Sequence, residues 1–569
     1  MGSSLLHDFG VNKVEKLKRS TWVLPLKHKT AFPQGVLIPL GWTDVIPGST
    51  ISDDVNLLTR LALTPYKPFM SDVYLTYGCY FVPYRVLYKN YPNMFGNGKP
   101  SEWSNPQEYV MPTGKYSYKF NGTIRPYGAG YDAAYTACVG SGSFGNIVSK
   151  PGNLANYLGL PVTRSTGALE EQINIAPFLA YERIWTDYWR DENYQNPDPD
   201  LEKAYELGSG NVDLSNFRFC LHYANRFHDY LTSLLPNTQK GSAIQTIMPL
   251  HAFMDGNNPV FSALDGIGAF STNGTTAQLN KTLGTLSGTG ALATGGTAPG
   301  SAAAITHTNL GTEFSVTELR NAFALQRAAE RNARGGSRMP EAMRSIYEAN
   351  YPAVLDRAEF LGGNTIKLNL TSVPSTSDVA PGKLGAYSAT GSNTKSFVKT
   401  LDEPGIVMYV GCIRIKHVYQ ESLEPYWKKS RRYDFYDPAL AHISEVPAYE
   451  REVAGGISDD LPGDVIGFRP AWIEYEKPID RVSGHLAYVG SEGGFDLTKW
   501  VLQEQYDEGS YYTPETYYPE NQDEIAKACI DFNTDYHSFQ FIIDFEADLK
   551  ITACKPLYSI PGFIDHLIA

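Results

Sequence analysis

Few residues in this sequence have the types and spacing that metal chemistry needs. His222, His228 and Asp229 are close in sequence and carry side chains that bind transition metals. Their spacing does not place them on one face of a helix, and no further ligand is evident nearby. Nucleotide-binding loops and the signatures of zinc proteases and serine hydrolases do not occur. A structural use of these residues is therefore the favoured interpretation.

A second group of candidates is acidic. Glu182, Asp187 and Asp191 fall within a helix predicted at 176–191, and cleavage of a glycosidic bond requires a pair of carboxylates. These residues leave a β-sandwich glycosidase as one hypothesis. The other face of the predicted helix is aromatic, so a solvated or ion-paired acidic face is the favoured interpretation.

A predicted amphipathic helix carries a row of arginines. Its start has capping-box spacing at 315–318, and a glycine pair at 335–336 predicts its end. The arginines fall within about 60° of one another around the helix. Ion pairs within or between subunits are the favoured interpretation, and phosphate contact is the alternative. The arginines concerned are Arg320, Arg327, Arg331 and Arg334.

The densest basic run lies at 428–432 and is followed by the aromatic stretch 433–436. Basic and aromatic side chains together can bind single-stranded nucleic acid through charge and stacking. A buried interface or an ordinary surface face is the alternative. The basic residues of the run are Lys428, Lys429, Arg431 and Arg432.

The composition restricts what these residues can do. The chain has 569 residues, a formal net charge of −13, 13% aromatic and 19% charged residues. So many aromatic residues with so little charge exclude intrinsic disorder. A chain this acidic cannot hold nucleic acid by bulk electrostatics, so basic contacts must be local or come from a partner. No apolar run reaches about 18 residues, and no membrane insertion is expected.

The cysteines and the first residues indicate the compartment of synthesis. None of the six cysteines forms a CxxC pair, which disfavours a zinc knuckle. Cys79 and Cys412 lie in apolar, strand-like runs and are expected to be core residues. Residues 1–20 are polar and basic without an apolar segment, so we expect synthesis in a reducing cytoplasm.

Strands are predicted towards both ends of the chain, at 35–40, 72–83, 406–415 and 539–545. Residues 113–152 are predicted to form a surface loop insertion. Residues 256–312 form a long neutral segment dominated by Gly, Ala, Ser and Thr. Early and late strands with long excursions between them favour a single domain over residues 1–569, closed as a Greek-key sandwich.

Short motifs with a shared order across the chain resemble those of one known family. They are HKT at 28–30, IPGST at 46–50, YFVPYR at 80–85, IWTDYWRDEN at 184–193, HDYLTS at 228–233, LP at 235–236, QKG at 239–241, ERNARGGSR at 330–338, EFLGG at 359–363, RYDFY at 432–436 and PGFIDH at 561–566. The sequence resembles the major capsid proteins of the Microviridae, small icosahedral phages with circular single-stranded DNA. It is most similar to the gokushovirus branch.

The resemblance implies an all-β core, namely an eight-stranded antiparallel viral jelly roll (β-sandwich) with large loop insertions that contain helices. It implies a coat protein without enzymatic activity or cofactor, synthesised in the bacterial host cytoplasm and located in the virion. About sixty copies would form a closed T=1 icosahedral shell around the genome. A cellular jelly-roll carbohydrate-binding protein is the alternative.

The resemblance also assigns a role to residues 256–312. In gokushovirus relatives an insertion at this position forms protrusions at the threefold axes. We therefore expect three copies to pack together and project towards a host surface receptor, for which a glycan is one candidate. A mobile surface loop is the alternative. Candidate residues along the protrusion are Gly256, Phe270, Asn280, Gly290, Gly300 and Thr312.

The acidic charge predicts further partners. About sixty subunits with a net charge of −13 each cannot neutralise packaged DNA. We expect a small basic DNA-binding protein inside the shell, and the resemblance adds a minor or pilot capsid protein. The candidates for local contact with the circular single-stranded DNA are Lys428, Lys429, Arg431, Arg432, Arg327, Arg331 and Arg334.

Overall fold

The computed structural model of the chain divides into two compact units. The first comprises Met1–Thr238 and Ala333–Ala569, and the second comprises Gln239–Asn332. The structure describes residues 19–62, 70–95, 109–117, 147–149, 151–162, 170–207, 210, 212, 214, 217, 219–239, 278–279, 286–287, 316–336, 338–349, 356–369, 372–374, 384–387, 389–419, 422–449, 452–453, 465–477, 479–487, 500–501 and 540–555.

Strands dominate the described part of the first unit. The strands of the chain are β1 Ser20–Phe32, β2 Ile38–Val45, β3 Ser49–Ser52, β4 Val55–Leu61, β5 Val73–Pro83, β6 Thr113–Ser117, β7 Glu170–Asn174, β8 Gln278–Leu279, β9 Leu286–Ser287, β10 Glu359–Lys367, β11 Ser372–Pro374, β12 Leu384–Tyr387, β13 Thr390–Thr394, β14 Val398–Leu401, β15 Gly405–Ile415, β16 Glu445–Tyr449, β17 Val465–Pro470 and β18 Phe541–Ala553.

The helices lie between the strands. The α-helices are α1 Tyr84–Leu87, α2 Leu154–Tyr157, α3 Ala176–Ile184, α4 Pro199–Tyr205, α5 Val316–Arg334 and α6 Met339–Tyr347. Short 3₁₀ turns occupy Tyr91–Phe95, Pro425–Lys428, Arg432–Asp434, Pro438–Leu440, Ile473–Tyr475 and Gly484–Ala487, and a π turn occupies Trp185–Trp189.

The first sheet is organised around β18, close to the end of the sequence. β18 pairs antiparallel with β1 along its whole length and with β4 and β3 on its other edge. β13 pairs with β4, and β14 pairs with β3. Side chains of β18 alternate between buried and outward positions, as the two-residue period of a strand requires. On the outward face, Lys27 of β1 lies 2.6 Å from Glu546 of β18.

The second sheet has the strand order β10-β5-β15-β2, and all its pairs are antiparallel. Every residue of β15 is buried, which explains why this strand is apolar apart from Arg414. Helix α3 packs against β15 and β5. The hydroxyl group of Tyr181 on α3 donates a hydrogen bond to the carbonyl oxygen of Leu37 at 2.8 Å.

The two sheets pack face to face. The rings of Tyr409 on β15 and Phe545 on β18 have centroids 5.4 Å apart. A Cβ atom at Gly41 of β2 would lie 3.3 Å from the ring of Phe545, so glycine allows a close approach here. Asp53 is buried at this level and accepts the main-chain N–H groups of Ser396 and Phe397 at 2.8 and 2.9 Å. The predicted antiparallel β core with helical insertions is thus confirmed.

Long excursions leave the sheets between β5 and β10 and between β15 and β18. The first contains the β6–β7 pair and most of the helices, and the second contains the β16–β17 pair. Helix α3 ends at Ile184 and continues as a π turn, so the predicted helix at 176–191 is interrupted. The predicted loop at 113–152 begins with β6, and residues 118–146 lie outside the described residues.

Only short parts of the second unit are described. Strands β8 and β9 pair antiparallel. Helix α5 begins in this unit, and its last residues, Ala333 and Arg334, belong to the first unit.

Two further sequence expectations concern burial. Cys79 and Cys412 are buried free thiols, as expected of core residues, and burial raises the pKa of Cys79. Among the described helices, none has the length and apolar character that crossing a membrane requires.

We predict that truncating Phe545 weakens the packing between the two sheets. Phe545→Ala should lower the free energy of unfolding by about 3–5 kcal/mol, because the fully buried ring leaves a cavity that the neighbouring side chains cannot fill. Chemical denaturation of the free subunit measures this change. Lys29→Ala, on the paired strand with its side chain 78% exposed, is the control and should cost less than about 1 kcal/mol. Equal effects would contradict the packing described here.

Candidate functional site

The basic run at 428–432 lies on a surface rich in exposed aromatic side chains. Trp427 is 72% exposed and Tyr433 is 65% exposed. The guanidinium carbon of Arg432 lies 5.6 Å from the centroid of the Tyr433 ring, within cation–π range. We call this region the aromatic–basic surface and define it by Tyr426, Trp427, Lys428, Arg431, Arg432, Tyr433, Phe435, Tyr436 and Tyr475.

Tight turns hold the two arginines of this surface outward. The Asp434 carboxylate accepts the main-chain N–H groups of Ser430 and Arg431 at 2.9 and 2.7 Å. These hydrogen bonds lower the pKa of Asp434, so its charge is retained and directed at the main chain. Arg431 and Arg432 are both exposed, and neither forms an ion pair within the described residues.

Lys429 has a different environment from its neighbours. Its side chain is 8% exposed, and its Nζ lies 2.7 Å from Oε1 of Glu474. The same atom lies 4.6 Å from the centroid of the Tyr475 ring. Burial opposes protonation, but the hydrogen bond to Glu474 helps to raise the pKa of Lys429 overall. Lys429 thus anchors the aromatic–basic surface to the segment around Glu474 and is not itself displayed.

The supporting segment has an uncommon backbone conformation. Trp472 has a φ of 70°, in the left-handed region that non-glycine residues rarely adopt. Its indole N–H donates to the carbonyl oxygen of Leu440 at 3.1 Å, and its ring meets that of Tyr436 edge-on. Sequence reasoning missed Trp472, Glu474 and Tyr475, because only the tertiary fold brings them to the basic run.

Lys428 completes the basic part of the surface. Its side chain is 40% exposed, and its Nζ lies 3.9 Å from the carboxylate of Glu452. Glu452 is buried and lies 2.5 Å from Arg469, so its charge is already matched. Lys428, Arg431 and Arg432 therefore display positive charge beside stackable rings, an arrangement suited to phosphates and unpaired bases.

The arginines of helix α5 do not share one environment. Arg327 and Arg331 are exposed. Arg334, by contrast, donates to the carboxylate of Glu445, whose side chain is buried. Arg338, just beyond the helix, lies 3.3 Å from Glu341. The ion-pair interpretation therefore holds at the end of the helix.

The favoured interpretation was a solvated or ion-paired acidic face; Asp187 is ion-paired with Arg183, and both Asp187 and Asp191 are buried and not solvated. Asp187 accepts Nε of Arg183 at 2.8 Å and the N–H of Ala358 at 3.0 Å. Burial raises the pKa of Asp187, although Arg183 opposes this. Asp191 accepts the N–H of Asn193 at 2.9 Å. Both carboxylates are therefore buried and hydrogen-bonded inside the protein and do not face solvent.

His228 and Asp229 have a structural role, because both hydrogen-bond within one turn. Oδ1 of Asp229 accepts the N–H groups of Leu231 and Thr232, and its Oδ2 accepts the hydroxyl of Tyr419 at 2.8 Å. Nδ1 of His228 lies 3.2 Å from the carbonyl oxygen of Thr232. His222 is separate from this turn and contacts Glu182, a pairing that sequence spacing did not indicate.

Within the predicted protrusion at 256–312, the structure describes only the paired strands β8 and β9. The candidates Gly256, Phe270, Asn280, Gly290, Gly300 and Thr312 lie outside the described residues. The contact of these residues with other copies or with a receptor stays a prediction.

Two antiparallel sheets that pack face to face place the chain in the class of β-sandwich proteins. The long insertions between its strands carry the exposed basic surface. The chain belongs to the phage capsid family described as "Capsid protein (F protein)", which matches residues 12–119 and 149–563.

Three similar proteins are all described as "Capsid protein VP1". The protein of Spiroplasma virus 4 is 28% identical over 601 residues, covering 98% of this chain and 97% of its own length. That of Chlamydia phage 1 is 26% identical and covers 96% of both chains. That of Bdellovibrio phage phiMH2K is 27% identical and covers 88% of both.

These similarities confirm the resemblance to gokushovirus-like Microviridae coat proteins. The protein is a major capsid protein, a structural component of the virion that assembles with copies of itself. The family assignment favours this function over the carbohydrate-binding and glycosidase alternatives.

Proposed function

We propose that about sixty copies of this chain form a closed T=1 icosahedral shell around a circular single-stranded DNA genome. The observation that carries the proposal is the match of the chain to the phage capsid family, and the strand order of the two sheets, which fits a viral jelly roll, supports it. A coat subunit must present several different complementary surfaces on one rigid frame, and a jelly roll with long loops provides them.

The strand order supports an eight-stranded jelly roll if two interrupted strands are each counted once. β3 and β4 both pair with the same edge of β18, and their partners β14 and β13 extend the same sheet. The first sheet then runs β1, β18, β3 with β4, and β14 with β13. The second sheet has four strands in the order β2, β15, β5, β10. Successive strands mostly alternate between the sheets, as in a jelly roll.

The insertions supply the surfaces that distinguish one contact from another. On this proposal the chain is a single jelly-roll domain over residues 1–569 with surface insertions at 113–152 and 256–312. The segment 256–312 forms the threefold protrusion and contacts a host surface receptor, for which a glycan is a candidate. Its neutral, small-residue composition supports close packing between identical chains.

The aromatic–basic surface is the best candidate for contact with the genome. Lys428, Arg431 and Arg432 supply exposed charge, and the neighbouring rings supply stacking platforms. Arg327 and Arg331 are exposed as well. Lys429 and Arg334 form ion pairs with Glu474 and Glu445, so they mainly hold neighbouring segments in place.

The net charge supports additional partners. Each subunit carries −13, so a few exposed arginines cannot balance a packaged genome. We infer a small basic DNA-binding protein inside the shell and a minor or pilot capsid protein in the same particle. Synthesis takes place in the bacterial host cytoplasm on this account.

We predict that the purified full-length chain assembles into closed particles of uniform size. Sixty subunits of 63.0 kDa correspond to about 3.8 MDa. Electron microscopy and multi-angle light scattering, with and without circular single-stranded DNA, measure shape and mass. Monomers or small oligomers under both conditions would contradict the proposal.

We predict that the aromatic–basic surface sets the affinity for single-stranded DNA. Replacing Lys428, Arg431 and Arg432 together by Gln should reduce the slope of log K against log salt concentration by about 2, because three phosphate contacts are lost. Trp427→Ala should weaken binding by about 1–3 kcal/mol through lost stacking, with little change in slope. Fluorescence anisotropy with a labelled oligonucleotide measures both.

A variant that loses the same charge elsewhere is the control. Lys27, Lys29 and Lys395 have side chains 63%, 78% and 73% exposed, and replacing all three by Gln also removes three positive charges. This control should leave the salt slope unchanged. If it lowers the slope as much as the first variant does, binding is non-specific and the assignment of the surface is wrong.

A further inference from the structure

A buried cluster beside helix α3 joins three side chains from separate segments. Glu182 lies on α3, Asp198 precedes α4, and His222 lies in the segment that runs beside β2. The nitrogen and oxygen atoms that these side chains offer as ligands all lie within 4.8 Å of one another. Sequence analysis assigned Glu182 and His222 to different candidate sites and did not consider Asp198.

One oxygen of Glu182 lacks a hydrogen-bond donor among the residues that the structure describes. Glu182 is 1% exposed, and its Oε2 contacts Nε2 of His222. Its Oε1 is buried and has no hydrogen-bond partner among the described residues. A buried carboxylate oxygen without a donor is costly, so a proton or a cation is expected beside it.

The cluster combines the donor types of a divalent-ion site. Two carboxylates and one imidazole converge at the buried side chain of Glu182. When a divalent ion displaces the protons of the cluster, the two ionised carboxylates balance its charge.

The three side chains are oriented by their neighbours. Oδ1 of Asp198 accepts the N–H of Asp200 at 2.9 Å. The His222 ring stacks on Trp185 with centroids 4.0 Å apart and planes 15° from parallel. Supporting contacts of this kind fix ligand geometry in metal sites. Asp198 also lines an open cleft of about 720 Å³, so the cluster borders this cleft at one of its three side chains.

We propose that Glu182, Asp198 and His222 bind one divalent transition-metal ion, for which zinc is the best fit. One imidazole nitrogen and two carboxylate oxygens are ligands that zinc accepts, whereas calcium and magnesium prefer oxygen alone. Water from the cleft would supply the fourth ligand. The ion replaces the proton held between Glu182 and His222, which is released to solvent, so binding strengthens as the pH rises.

Such an ion would act as a cross-link within the subunit. It would tie α3 to the start of α4 and to the segment that contains His222. That segment is already paired with the core, since the N–H of Leu37 donates to the carbonyl oxygen of His222 at 2.9 Å. The proposal is independent of the shell and the genome, because all three ligands belong to one chain.

Zinc titration of the EDTA-treated full-length chain tests the proposal. We expect one ion per subunit by calorimetry and a rise in melting temperature that grows with zinc concentration. Glu182→Gln keeps the shape but removes the charge, and it should weaken zinc binding by about a hundredfold or more. Glu202→Gln removes an acidic group from the same cleft without touching the cluster and should bind as the wild type does.

A second variant and a spectroscopic readout cover the case in which Glu182→Gln does not fold. Asp198→Asn lies at the edge of the cluster and should also weaken binding. Cobalt(II) bound to the wild type should show the visible absorption typical of a low-coordinate nitrogen–oxygen site, and the variant should lose it. Absence of a stoichiometric site in the wild type, or equal zinc affinity in wild type and both variants, would overturn the proposal.

Discussion

The pairing of β18 with β1 is the interaction on which the rest of the structure depends. It joins Ser20–Phe32 to Phe541–Ala553 in continuous antiparallel register. The inward side chains of β18 also form one wall of the core, where Phe545 meets Tyr409 of the opposite sheet. The first sheet therefore lacks an inner strand until Phe541–Ala553 has been synthesised. Closing so long a loop is slow, but each further residue in the loop adds little to the entropic cost of closure.

Because the two sheets form the core, the residues between their strands can form the contact surfaces of the subunit. The long excursions between β5 and β10 and between β15 and β18 carry the helices, the aromatic–basic surface and the Glu182 cluster. Ion pairs hold segments of these excursions together: Lys429 pairs with Glu474 within the second excursion, and Arg334 of the first pairs with Glu445 of the second. A capsid subunit needs this combination, because one rigid core must support several different contacts.

The sequence predicted the elements whose pattern is local. β15 has an apolar run from Gly405 to Ile413, and the arginine helix has capping and stop signals at its ends, so both were located closely. The extent of β18 was underestimated: the predicted strand ended at 545, although apolar and polar residues alternate throughout Ile543–Ala553, which is the pattern of a half-buried strand. Contacts between distant segments were not predictable: nothing in the spacing of Lys429 shows that Glu474 buries it, or that His222 meets Glu182.

Hydrogen–deuterium exchange of the full-length subunit tests the central role of β18 most directly. If β18 is the central strand, its amides exchange only when the whole subunit unfolds, as slowly as those of β5 and β15. The turns at Pro425–Lys428 and Arg432–Asp434 should exchange much earlier. Rapid exchange in Phe541–Ala553 while β5 and β15 stay protected would show that the sandwich is stable without its last strand, and would contradict this account.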